Sequence, residues 1–313
     1  MTDIAHGIVT LDTGYYRPAF DAAYLVVERG RAAFVDTGTT HSVPRLLAGL
    51  AAAGLEPADV DWVVLTHVHL DHAGGAGALM QALPQARLAV HPRGARHMID
   101  PARLVAGAIE VYGAAAVERD YGRILPVPAE RVVEATEGTV LELAGRPLRC
   151  LDTPGHARHH LCLFDEAGAT VFTGDTFGVS YREFDGPNGA WALPSSTPIQ
   201  FDAAEMCRSI ERLAALPVTS IRPTHYGAVG NVPAVAALLV EQVEAMAALA
   251  RELRTAPDRA ARLRAGLGAL YADRALAHGV PLDRAGVLAL LANDIELNAQ
   301  GLDVWLDQSQ AVR

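Results

Sequence analysis

The chain contains no lysine at all. Its 26 fixed positive charges are all arginines, and 36 carboxylates outnumber them, leaving a formal net charge of −10. Two chemistries go with the missing residue. One is a Schiff base to a carbonyl substrate; the other is a Walker-type phosphate loop, whose lysine reaches the phosphates. The acidic balance argues against nucleic acid as the main partner, because a polyanion needs a basic footprint. Cysteine is scarce too. Cys150, Cys162 and Cys207 show no CxxC spacing, and an odd count suits reduced thiols acting as small buried hydrophobes in a cytoplasm. No apolar run reaches the length of a membrane span before Gly, Pro or a charge interrupts it. The first residues, Met1 to His6, offer neither a basic nor an apolar leader region. These absences predict a cytoplasmic protein with no membrane partner. No G-x-S-x-G elbow occurs, which weakens a serine-hydrolase reading.

What is present is a chain of 313 residues, half of them hydrophobic, long enough for one large domain and an appendage. Apolar stretches bounded by turn residues predict strands at 4–11, 22–28, 31–36, 62–65 and 86–90, then at 131–134, 139–143, 148–151, 161–164, 170–173 and 218–221. Helical patterns lie between them at 43–53, 75–82, 101–123 and 203–215. Beyond Gly230 the character changes: 233–254, 258–277 and 284–305 are Ala/Leu/Arg/Glu-rich helices separated by Pro257 and Pro281. The expected organisation is therefore a catalytic domain over 1–230 and a helical region over 231–313.

The chain is organised around Thr66-His67-Val68-His69-Leu70-Asp71-His72-Ala73-Gly74-Gly75. It follows the apolar run Trp62–Leu65. His67 and His69 point the same way in extended backbone, and Asp71 and His72 follow where the chain turns. Three imidazoles and a carboxylate beside a buried strand are costly to keep dry, and a divalent metal is the usual compensation. Three further strand ends repeat the theme. His156 stands on the Pro-Gly turn after 148–151, Asp175 after 170–173, and His225 after 218–221. The set amounts to five imidazoles and two carboxylates, enough for two ions if one carboxylate bridges. Asp36, at the end of strand 31–36, either caps the helix at 43–53 or steadies a metal ligand; both roles are compatible. Tyr226 beside His225, and Tyr181 and Trp191 in the Gly/Pro-rich segment 178–200, are candidates for contact with substrate, or for packing the walls.

With Thr66-His67-x-His69-x-Asp71-His72-x-Gly74-Gly75 followed in order by His156, Asp175 and His225, the sequence resembles the metallo-β-lactamase superfamily over residues 4 to 230. The resemblance implies an α/β fold, the four-layer αβ/βα sandwich, here with an appended C-terminal helical region. It also implies that His67, His69 and His156 hold one metal and that Asp71, His72 and His225 hold the second, with Asp175 bridging. Asp36 would support the ligands, as would His160, the later His of the TPGHxxxH-like turn. Asp71 would orient the attacking water and take its proton. The glyoxalase II-like branch, with C-terminal helices and an intact Asp71-His72, fits best. The implied function is hydrolysis of a small ester, lactone, thioester or phosphoester with two divalent ions, zinc foremost and iron or manganese as alternatives. The other reading is a mononuclear iron oxidoreductase of the persulfide-dioxygenase type. A small-molecule substrate and a homodimer complete the expectation.

Overall fold

In the computed structural model, residues 5–196 and 199–311 are described; the first residue of the expected strand at 4–11 lies outside them. Among the described residues, eleven strands form two sheets. The first takes β1 (Ile8–Asp12), β2 (Ala22–Glu28), β3 (Arg31–Val35), β4 (Val60–Val64), β5 (Arg87–Val90) and β6 (Val132–Glu134) in chain order. β1, β2 and β3 pair antiparallel, whereas β3 to β6 run parallel. Parallel neighbours need crossovers, and α1 (Val43–Ala52), then α2 (Leu70–Ala73) with α3 (Ala76–Ala82), then α4 (Pro92–Ile99), α5 (Ala102–Tyr112) and α6 (Ala114–Tyr121) supply them. The second sheet holds β7 (Val140–Leu143), β8 (Arg146–Asp152), β9 (Leu161–Asp165), β10 (Thr170–Gly174) and β11 (Ser220–Pro223) in the order β11-β10-β9-β8-β7. Only β10 and β11 are parallel there.

The alternation of side chains along a strand sorts the core into two bodies. From β2 and β3, Ala23, Leu25, Ala32 and Phe34 join Leu46 and Leu50 of α1 and Leu79 and Met80 of α3 in one cluster. The intervening Ala22, Tyr24, Val26, Ala33 and Val35 face the other way and meet Leu141, Leu148, Cys150, Leu163 and Phe172 of the second sheet. The layering is helix, sheet, sheet, with the strand ends left over as the place where irregular backbone can carry polar groups. Cys150 is one of the buried hydrophobes expected, and burial pushes its thiol up to about 12.

The chain divides into two compact units. One comprises the residues up to Asp152 together with His159–Gly174 and Ser220–Ala228; the other comprises Thr153–Arg158, Asp175–Thr219 and the residues from Val229 onward. Compactness thus groups the chain differently from a cut at 230, since two internal segments fall with the C-terminal helices. That second unit contains α7 (Ala203–Ala214), α8 (Val232–Glu252), α9 (Arg259–His278), α10 (Arg284–Leu290) and α11 (Ala292–Ala311). The α8 helix corrects one expectation. By length and composition it is apolar enough to cross a membrane, with a mean hydropathy of 1.6 in its best window. Its residues Val235, Leu239, Val243, Met246 and Ala250 are buried, one stripe at helical spacing. The expected single helix at 101–123 is two helices, because Gly113 takes φ 82°, ψ 150°, a conformation an L side chain resists. The α4 helix was not foreseen from hydrophobic period. Its signal is instead Pro92 at the first turn, with the His91 side chain accepting from the Arg93 N–H.

Candidate metal centre

The parallel strands β3 and β4 end side by side, and their first residues beyond the ladder build the first part of the site. Asp36 sits immediately after β3 with φ +57°, a strained conformation for a residue bearing a Cβ. Its buried carboxylate organises three distant segments. Oδ1 accepts from the Thr66 N–H at 2.8 Å, and Oδ2 accepts from Thr66 Oγ1 at 2.8 Å, from Thr224 Oγ1 at 2.9 Å and from His72 Nδ1 at 3.0 Å. Asp36 does not cap α1, which shows no side-chain cap bond; its carboxylate holds His72 Nδ1 instead. Thr66 and Thr224 are residues whose part was not foreseen: the threonine ahead of each histidine ties its strand end to the same carboxylate.

His69 precedes α2 as its N-cap residue, which puts Asp71 and His72 in a single helical turn. His67 and His72 are fully buried and His225 nearly so. His67 Nε2 and His69 Nδ1 lie 2.9 Å apart, and the His67 and His72 rings are 4.0 Å apart centre to centre. Asp71 Oδ2 is 3.5 Å from His225 Nε2 and 3.8 Å from His72 Nε2. Asp71, His72 and His225 each turn one ligand atom into a group whose atoms are all within 4.8 Å of one another. Burial alone would push the Asp71 carboxyl up, but the His72, His225 and His69 imidazoles outweigh it and hold Asp71 well below the usual carboxylate range. Asp71 is therefore ionised at neutral pH. Its side chain is 26% exposed, in contrast to the fully buried His72.

Within the second unit, His156 Nε2 lies 3.5 Å from Asp175 Oδ2. The turn carrying His156 is clamped onto α7. Ser209 Oγ donates to the Pro154 carbonyl at 2.7 Å, and the Asp202 N–H donates to the Gly155 carbonyl at 2.8 Å. Gly155 has φ +134°, and a Cβ there would lie 2.3 Å from Met206 Cα. Glycine is required by both conformation and space.

The fit to a metal shows most clearly in the outward nitrogens of the histidines. His72 Nδ1 is held by Asp36, His67 Nδ1 by Thr66 Oγ1 at 3.2 Å, His225 Nδ1 by the Phe20 carbonyl at 2.8 Å and His156 Nδ1 by the Ser195 carbonyl at 3.0 Å. The carboxylate and carbonyl oxygens make Nδ1 the donor in His72, His225 and His156, the arrangement that orients a histidine for a divalent ion. Such N/O donors suit zinc, iron or manganese. The two carbonyl partners could not be foreseen, since a backbone oxygen carries no residue signature.

The remaining candidates are placed as follows. His160 is fully buried, with its ring stacked 5.0 Å from that of His67. Gly174, at the end of β10, makes room for it: a Cβ there would lie 2.5 Å from His160 Nε2. Tyr226 is half-buried and packs against the core between the sheets. Tyr181 and Trp191 do not stand open to a ligand within their unit. Both are fully buried, Tyr181 donating to Asp294 Oδ1 at 2.9 Å and Trp191 meeting Phe184 edge-on at 4.9 Å. They anchor the 178–200 segment. Asp21 was not singled out from sequence. Its carboxylate is wholly buried, accepts from Thr13 Oγ1 at 2.7 Å, and is pushed up to about 7 by burial, against the pull of His225 and His72.

Comparison with known proteins identifies the family. The sequence profile of the Metallo-beta-lactamase superfamily matches residues 17–225. A hydroxyacylglutathione hydrolase of Cupriavidus taiwanensis is 33% identical over 207 residues, which is 64% of this chain and 61% of that protein. The chain thus spans less than two thirds of that relative's length. Among solved structures, a metallo-beta-lactamase family protein from Thermus thermophilus is similar with a TM-score of 0.67 at 24% identity, covering 97% of this chain and 94% of that one. A metallo-beta-lactamase superfamily protein from the archaeon Sulfolobus tokodaii gives 0.66 at 22%, covering 95% and 98%. The fold is the αβ/βα sandwich of that group with a helical C-terminal region, and the chain belongs to the metallo-beta-lactamase superfamily.

Proposed function

We propose that the protein is a dinuclear metal-dependent hydrolase of the glyoxalase II-like branch, acting on a small ester, lactone, thioester or phosphoester. In this reading His67, His69 and His156 would hold one ion and Asp71, His72 and His225 the other, with Asp175 serving both. The catalytic domain is 1–230 and the appended region 231–313, a division supported by the superfamily match ending at residue 225. The observation that carries the reading is the set of four imidazoles whose outward nitrogens are already engaged, together with the Asp71/His72/His225 group. Zinc is the favoured metal on the donor set. Divalent cations in such a site supply an attacking water with its pKa brought down towards about 7 and a Lewis acid for the substrate oxygen.

The chain's own residues supply the rest. Asp71, whose carboxylate is partly exposed, orients the attacking water and accepts its proton in this reading. Asp36 fixes His72 and, through the threonines, the strand ends that carry His67 and His225. The hydroxyacylglutathione hydrolase relative supports an acyl-transfer substrate. The absence of lysine points away from a site that binds glutathione through that residue. The test is Asp71→Asn, which keeps the shape and removes the charge and the proton acceptor. Turnover of an accepted ester or thioester falls about 10²–10⁴-fold, the usual contribution of a general base. Unchanged turnover, or a strict need for dioxygen, contradicts the proposal.

A further inference from the structure

The imidazole of His156 takes its orientation from one backbone oxygen, the carbonyl of Ser195. That carbonyl belongs to the planar peptide joining Ser195 to Ser196, whose N–H points the opposite way in the trans form, and no cis bond is recorded there. The Ser196 N–H donates to Asn298 Oδ1, on α11, at 2.6 Å. Asn298 also donates from Nδ2 to the Pro194 carbonyl at 2.9 Å, so the amide grips the chain on both sides of Ser195. Its second Nδ2 proton goes to the Tyr271 hydroxyl at 2.8 Å, and its Oδ1 also accepts from Ser196 Oγ at 3.2 Å. The buried amide therefore uses both protons and both lone pairs. The orientation of the amide is determined as well, because a flipped NH2 would face the Ser196 N–H.

We propose that Asn298 is a positioning residue for the metal ligand His156, acting through the Ser195–Ser196 peptide. This rests on the reading of His156 as a ligand. The relay runs from Asn298 Oδ1 to the Ser196 N–H, across the peptide to the Ser195 carbonyl, and on to His156 Nδ1–H. Accepting the N–H polarises the peptide and makes its oxygen a better acceptor, which favours the Nδ1–H tautomer and leaves Nε2 bare. The appended helix α11 thus contributes to the metal centre without supplying a ligand to it. Nothing in the motif that marks the family contains this residue, which follows His156 by 142 positions (298 − 156).

The experiment uses the full chain in three variants and reads tautomer, zinc affinity and thermal stability. The His156 tautomer is read by nitrogen NMR on metal-free protein, and zinc affinity by competition with a chelator. Wild type shows the Nδ1–H form. Asn298→Ala shows a mixture of tautomers and binds zinc about 10-fold more weakly, the lower end of what loss of an outer partner costs. Asn298→Asp keeps an acceptor for the Ser196 N–H and falls between the two; it also serves if the alanine variant does not fold. Asp294→Ala removes a different bond from the same helix, the one from Tyr181, and lowers thermal stability while leaving tautomer and zinc affinity as in wild type. A wild-type tautomer and zinc affinity in both Asn298 variants overturns the proposal. So does an Asp294→Ala variant as weak for zinc as Asn298→Ala, since the effect would then be one of packing alone. Wild-type protein that binds no zinc refutes the reading of His156 as a ligand, whereas the tautomer comparison still tests the relay.

Discussion

Asp36 illustrates how much a single buried carboxylate can do when every lone pair is engaged. Four donors from three segments converge on it, and its own backbone is held at φ +57° to bring it there. A non-glycine residue in that region costs about 1–3 kcal/mol, which the converging hydrogen bonds offset. Replacing Asp36 with Asn leaves a shape of the same size but puts an NH2 group among donors, so at least one of Thr66, Thr224 and His72 loses its acceptor. The expected result is metal affinity about 10–100-fold lower, with a stability loss of about 1–3 kcal/mol for the group left unsatisfied. Chelator competition and urea unfolding read the two effects separately. An Asp36→Asn protein indistinguishable from wild type in both would mean that Asp36 is merely a turn residue. This arrangement was only half legible in the sequence. A carboxylate at a strand end was visible, but its partners lie 30, 36 and 188 residues away, and no local pattern connects them.

At the scale of elements, the segments that carry the candidate ligands are short and irregular and lean on regular elements. The His156 turn shows this best. It leaves β8 and is clamped to α7 at Pro154 and Gly155, with Gly155 pressed against the backbone of Met206. Gly155→Ala combines a forbidden φ with a clash that no side-chain rotation relieves, and is expected to cost more than about 2 kcal/mol. Gly54→Ala is the control. Gly54 also has a positive φ, +77°, but no atom lies within 4 Å of a Cβ built there, so only the conformational cost of about 1–2 kcal/mol remains. Equal losses for the two variants in urea unfolding would show that the contact with α7 is soft. Strands were legible because apolar runs and turn residues bound them, and so were the helices of the C-terminal region. The splitting of 101–123 at Gly113 and of 284–305 at Leu291 was not, because helical period continues through both breaks. For the aromatics of 178–200 the sequence left two readings open, because a ring that anchors a segment and a ring that meets a ligand look alike in it. Burial of Tyr181 and Trp191 identifies them as anchors.

For the molecule as a whole, chemistry and scaffold are separable in the sequence. The histidine-rich stretch from His67 to His72 advertises itself because its ligands are adjacent, while His156, Asp175 and His225 are legible only because each follows an apolar strand. What the sequence leaves open is substrate, since segments outside the motif shape the pocket. In the proposed function the seven residues His67, His69, Asp71, His72, His156, Asp175 and His225 serve two ions. Elemental analysis of the purified protein, loaded with zinc and freed of excess by gel filtration, tests this. The account predicts about two zinc ions per chain, falling to about one or fewer in Asp175→Ala, which leaves adjacent cations without a carboxylate between them. A wild-type content of one ion or none per chain would contradict it.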